Sequence, residues 1–198
     1  MSRVGVFGGT FDPVHHGHLI MAQEAVVRLK LDRMLFMALN RPPHKKAPRL
    51  AGVEHRMAML RLATRGNRRF EVSRLEADRG GFSYTVNTLE TLHRKIRGEL
   101  FFLLGQDSLE DFARWREPER IVALARLVVV PRGDGKPSRV PARIRRRVVS
   151  LEPPRIGISS TEIRRRLSRG LTVRYWTPDS IIRYMTRHGL YGTRSRSR

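Results

Sequence analysis

Hydrophobic and polar positions fall along the chain in two rhythms. Residues 4–7, 34–39, 70–73, 100–104 and 127–130 form short apolar runs bounded by glycine, proline or polar residues. Each predicts a strand. Between them apolar residues recur at helical spacing. Leu19, Ala22, Ala25, Val26 and Leu29 predict a helix over 19–31, and the same period covers 53–63. Val86, Leu89, Leu92 and Ile96 predict one over 85–96, and another starts near Ser108. Residues 158–167 and 178–188 read as C-terminal helices, the second with Pro178 in its first turn and Gly189 just past its end. Strands alternating with helices predict a doubly wound, mostly parallel α/β sheet. No internal repeat or linker divides the chain. Residues 1–192 therefore read as one domain, and the Arg/Ser run 193–198 as a disordered basic tail.

In such Rossmann-like sheets ligands bind beyond the carboxyl ends of the strands. The glycine-bearing and charged stretches at 8–18, 40–46, 105–107 and 132–136 all follow predicted strands, so all are candidates to line one crevice.

Charge narrows the partners. The 198 residues carry 40 Lys or Arg against 18 Asp or Glu, a formal net charge of +22. Such a balance favours anions: nucleotides, nucleic acid or an anionic membrane surface. A nucleic-acid surface would interleave aromatics with basic residues on one face, or show a known module. The sequence offers neither, and many arginines read as solvated helix faces. Cysteine is absent, which excludes disulfides and thiolate metal sites. The apolar runs are too short to span a bilayer, and the N-terminus lacks a signal-peptide core. The expected location is the cytoplasm.

Residues 8–19, GGTFDPVHHGHL, place three histidines around a glycine where the first strand meets the first helix. Three readings are open. His15 and His18, three apart, could share a helical face and bind zinc, but no third ligand is indicated beyond Asp12. A glycine turn followed by a helix N-terminus could instead cradle a phosphate, with imidazoles as added donors. Finally, the histidines could simply cap the helix. A second stretch, ISSTEIRRRL at 158–167, carries a Ser159-x-x-Glu162 capping box. It also offers hydroxyls from Ser159, Ser160 and Thr161 and an arginine, Arg164, one turn in, which suits an anion. Arg165 and Arg166 read as facing solvent.

Together these stretches resemble the two signatures of the HIGH superfamily of nucleotidyltransferases, GGTFDPxHxGHL and ISSTxIR. The rest of the chain resembles the bacterial nicotinate-nucleotide adenylyltransferases over nearly its whole length, through PPHK (42–45), EHRMAML (54–60), GFSYTVNTLETL (81–92), the GQDSLEDFARWREPERI stretch and VRYWTPDSIIRYMTRHGLYG (173–192). Gln106 and the Trp176-Thr177 pair depart from the family pattern. The resemblance implies an enzyme that joins ATP and nicotinate mononucleotide by direct in-line attack, giving nicotinate adenine dinucleotide and pyrophosphate in NAD biosynthesis, with Mg²⁺ carried by ATP and no protein metal ligand. It implies catalytic roles for His18, His15 and Arg164. It implies ATP contacts from Gly8, Gly9, Thr10, Phe11, Ile158, Ser159 and Ser160. Gly105 and Asp107, past a strand end, fit the adenosine; Asp107 could bond ribose or cap the next helix. For the acceptor the resemblance points to Tyr84 and Thr85, through backbone N–H groups, and to Trp115, stacking on the pyridine or packing in the core. Lys45 and Arg132 could reach a phosphate or be solvated loop charges. Other acceptors on the same fold, nicotinamide mononucleotide or phosphopantetheine, and a nucleic-acid-binding role remain the alternatives.

Overall fold

The computed structural model describes residues 1–40, 50–130, 142–154 and 156–193. Six strands form its centre: β1 (Ser2–Gly9), β2 (Arg33–Ala38), β3 (Phe70–Val72), β4 (Gly98–Gly105), β5 (Arg126–Val130) and β6 (Val148–Ser150). They pair in the order β3-β2-β1-β4-β5-β6, every pair parallel. The expected mostly parallel sheet is therefore wholly parallel among the described residues.

Among the described residues nine helices accompany the strands: α1 (His16–Arg28), α2 (Val53–Thr64), α3 (Leu75–Arg79), α4 (Thr85–Lys95), α5 (Gln106–Glu110), α6 (Pro118–Leu124), α7 (Ala142–Arg145), α8 (Ser160–Ser168) and α9 (Asp179–Arg187). They cover both faces of the sheet, which is why its central strands read as unbroken apolar runs. Alternate side chains feed two cores. Phe7, Phe36, Phe101, Leu103 and Val128 pack with Ala22 and Val26 of α1, Met57 and Leu60 of α2, Ile163 of α8 and Met185 of α9. Val4, Val6, Leu35, Phe102, Leu104 and Val129 pack with Leu89 and Leu92 of α4 and Ile121 of α6.

The sequence pattern missed three elements. α3 is five residues of mostly polar sequence, too short for a period to register. α6 follows Glu117, whose left-handed backbone (φ 53°) ends one turn and starts the next. β6 is a three-residue, half-exposed edge strand. The helix expected from about Ser108 starts earlier, at Gln106, and stops at Glu110 before a 3-10 turn, Phe112–Arg114. Part of the basic run at 143–147 forms α7. The stretches at 40–46 and 132–136 lie outside the described residues except for Asn40, as do tail residues 194–198.

The strand order reverses between β1 and β4. The carboxyl ends of those strands diverge there and leave a crevice, the place where ligands enter open α/β sheets.

Candidate active site

A cavity of about 650 Å³ fills that crevice. Gly8 and Gly9 close β1 on one side of it and Leu104 and Gly105 close β4 on the other. Its lining also includes Thr10, Phe11, His15, His18, Tyr84, Thr85, Asp107, Trp115, Ser159, Ser160 and Arg164. Fourteen residues expected from sequence therefore meet at one cavity: the eleven just named, with Gly8, Gly9 and Gly105 completing the strand ends. Ile158 does not line it; its aliphatic side chain packs on the core. Lys45 and Arg132 lie outside the described residues.

The histidine turn is built by close approach. His15 is the N-cap of α1, with extended backbone and a buried ring. The His15 and His18 rings stack with centroids 3.7 Å apart at 26°. A Cβ on Gly17 would stand 3.1 Å from Cε1 and Nδ1 of His15, a tight contact that a side chain there would relieve only by shifting that ring. The His15 backbone N–H donates to Nδ1 of His18 at 3.3 Å. In a neutral His18 ring the proton then sits on Nε2, a donor suited to a phosphate oxygen. Phe11 and Phe7 meet that ring edge-on at 5.0 and 5.9 Å and hold its tilt. The N-terminus of α1 is less open than the sequence implies. The His16 N–H is bonded to the Trp176 carbonyl at 3.0 Å, and the His18 N–H returns to the His15 carbonyl at 2.9 Å. Those two N–H groups are therefore not open to an anion.

The second motif is fastened to the first. Ser159 caps α8 by accepting from the Glu162 N–H at 3.2 Å. The reciprocal half of the expected capping box is replaced: the Glu162 carboxylate pairs with Arg165 at 2.5 and 2.6 Å. Ser160 donates to the Pro13 carbonyl at 2.8 Å, and Arg164 to the Asp12 carbonyl at 2.6 Å. Arg166 does not face open solvent; its guanidinium lies 4.8 Å from the Trp176 ring centroid and donates to the Thr172 carbonyl.

At the other end of the cavity Tyr84 and Thr85 open α4, and Arg116 lies 5.1 Å over the Tyr84 ring. Trp115 packs on Phe112 and Phe102 and also lines the cavity. Asp107 is not the cap of α5, because Gly105 holds that position; its side chain lines the cavity instead.

Sequence reasoning missed the supports. Arg56 is 2% exposed and donates to the carbonyls of Thr10, Leu39, Ala51 and Asn40, fixing the turn from below. Its signal was an arginine inside the apolar period of α2. Glu76, Ser83 and Thr88 also reach the cavity and carry no motif of their own. Among the described residues no three His, Asp or Glu side chains group to hold a metal, and no helix is long and apolar enough to cross a membrane.

A glycine-bearing turn, stacked imidazoles and a capped helix start at the switch point of a 3-2-1-4-5-6 sheet define a nucleotide-binding α/β protein. Residues 6–166 match the family described as Cytidylyltransferase-like. A Thermus thermophilus protein named "Probable nicotinate-nucleotide adenylyltransferase" is 48% identical, over 96% of this chain and 99% of its own length. A protein of the same name from Roseiflexus sp. (strain RS-1) is 46% identical over 95% of this chain and 97% of its own. The nicotinic acid mononucleotide adenylyltransferase of Plasmodium falciparum, solved in complex with NaAD, superposes with a TM-score of 0.79 over 98% of this chain and 99% of its own; at 18% identity it speaks for the fold. The chain belongs to the Cytidylyltransferase-like family and, within it, to the nicotinate-nucleotide adenylyltransferases.

Proposed function

We propose that this protein transfers the adenylyl group of ATP to nicotinate mononucleotide, releasing pyrophosphate and forming nicotinate adenine dinucleotide. The observation that carries this reading is one continuous cavity at the β1–β4 switch point. It joins a donor-rich end, at His15, His18 and the start of α8, to an aromatic end with a helix start, at Trp115 and Tyr84–Thr85.

A phosphate oxygen of the mononucleotide attacks the α-phosphorus of ATP. That P–O bond forms as the bond to the bridging oxygen breaks, and pyrophosphate leaves with its electron pair. A phosphate monoester is already ionised at neutral pH, so no general base or covalent intermediate is required. The protein's task is to align two mutually repelling anions and offset charge on the leaving group. His18 Nε2–H is assigned to the α-phosphate and His15 to phosphate positioning. Backbone from Gly8 to Phe11, with Thr10, packs on the nucleotide, and Gly105 and Asp107 meet the adenosine. Arg164 donates to Asp12 and Thr161, and the guanidinium's remaining donors are assigned to the distal phosphates with Ser159 and Ser160. The open N–H groups at the start of α4 are assigned to the nicotinate carboxylate and Trp115 to the ring. Lys45 and Arg132 are assigned to the mononucleotide. The donors described at the phosphate end suit phosphate oxygens, so a divalent cation would arrive on the nucleotide. Mg²⁺ would supply neutralising charge on the ATP phosphates, with no protein ligand assigned to it. Use of ATP as substrate supports a location in the cytoplasm.

Pyrophosphate release tests this, with nicotinate and nicotinamide mononucleotides offered in parallel. We expect strong preference for nicotinate, and a kcat lowered by about 10²–10³ in His18→Ala, the scale of one lost oxyanion donor. Equal turnover of both acceptors would remove the assignment to nicotinate. Turnover unaffected in His18→Ala would remove the role of the histidine turn.

A further inference from the structure

The aromatic end of the cavity depends on a helix start that its own sequence does not secure. α4 has Tyr84 at its N-cap, and the phenol makes no capping hydrogen bond. The first backbone bond, from the Thr88 N–H to the Tyr84 carbonyl, is 3.4 Å long, at the weak end for N–H···O. The chain reaches it through Gly80 and Gly81, both in the left-handed region at φ 68° and 62°. A helix beginning this way frays when left to local interactions.

α3 supplies what is missing. Glu76 is 2% exposed, and its carboxylate accepts a hydrogen bond from the Thr88 hydroxyl. Arg79, 3.6 Å from that carboxylate, donates to Thr88 Oγ1 at 3.0 Å, to the Asn87 carbonyl at 3.3 Å and to Thr91 Oγ1 at 3.3 Å. The Thr88 hydroxyl is thus used as donor and acceptor at once. On the opposite side the Asn40 N–H donates to Ser83 Oγ at 3.0 Å and ties the approach to the end of β2. A buried carboxylate is costly, and in a cavity meant for anions it is out of place electrostatically. Its retention there is explained by what it holds.

We propose that Glu76 is a positioning residue for the acceptor. Acting through Thr88, with Arg79, it fixes the first turn of α4 at the geometry in which the N–H groups from Thr85 onward receive the acceptor's carboxylate. Glu76 itself makes no contact with the reacting atoms. The proposal rests on the reaction assigned above, and it separates the two substrates, because α4 serves the acceptor end while β1, α1 and α8 serve ATP.

The experiment is steady-state kinetics on the full chain with each substrate varied in turn, for Thr88→Val, Glu76→Ala and Glu76→Gln. Misplacement of a binding group by about 1 Å can cost up to about 10²-fold. We expect Thr88→Val and Glu76→Ala to raise KM for nicotinate mononucleotide by about tenfold or more, with KM for ATP within about twofold of wild type. Glu76→Gln should recover most of the loss, since its carboxamide oxygen still accepts from Thr88. Should either severe variant fail to fold, Arg79→Gln carries the same test from the other side of the clamp. An unchanged acceptor KM in Thr88→Val, or parallel rises for both substrates, would overturn the proposal. Failure of the underlying reaction looks different: the wild-type protein would release no pyrophosphate with nicotinate mononucleotide, and both readings would fall together.

Discussion

At the scale of residues, the lines of support under the phosphate end converge on Asp12. Its carboxylate is 1% exposed and accepts from the Tyr191 hydroxyl at 2.5 Å and the Ala51 N–H at 3.1 Å, while Arg164 stands 3.7 Å away. Burial, reinforced by Asp12, pushes the Tyr191 phenol far above its ordinary range, so it stays a donor at any working pH. Tyr191→Phe removes one bond from a buried carboxylate and leaves the packing intact. The expected loss is about 1–3 kcal/mol of stability, read as a lower urea midpoint with an unchanged slope. No loss would mean that water replaces the phenol. In the sequence Asp12 stands out only as a conceivable third metal ligand. Its partners lie 39 residues (Ala51), 152 residues (Arg164) and 179 residues (Tyr191) away. No local pattern connects groups that meet only when the chain closes.

At the scale of elements, legibility follows burial. β1, β2, β4 and β5 are covered on both faces, so their sequences are continuous apolar runs that any reading finds. α3 is a helix because Glu76 and Arg79 grip α4, and nothing in LEADR announces it. That grip has a pH signature. Burial raises the Glu76 carboxyl above its ordinary value, opposed by hydrogen bonding from Ser83 and by the charge of Arg79. A raised acid adds stability while it is protonated, below its ordinary value, and loses that contribution as pH rises through the raised one. Glu76→Gln stays neutral throughout. Its Tm should therefore gain on wild type as pH climbs from about 4 to about 8, and a constant difference would show that Glu76 titrates normally.

At the scale of the whole molecule, the charge of +22 is the one property that the cavity does not explain. Many arginines are engaged at the surface, as in Arg74 with Glu54 and Asp78, Arg120 with Glu90, and Arg165 with Glu162. Such exposed pairs contribute little to stability. The excess still sets a positive field that draws in two anionic substrates. With a screening length near 10 Å at 0.1 M salt, KM for both should rise between about 0.05 and 0.5 M KCl while kcat changes little. Any association with single-stranded RNA should be lost over the same range. Tight RNA binding that survives it would point to a built nucleic-acid surface. By itself the sequence determined the alternation of strands and helices and the two motifs that line the cavity, because burial period and glycine turns are written in neighbouring residues. Only the tertiary structure decided that His15 must lie over Gly17, that Arg56 and Asp12 carry the turn, and that α3 holds the start of α4. Those facts depend on distances between groups far apart in the chain, which a linear pattern does not encode.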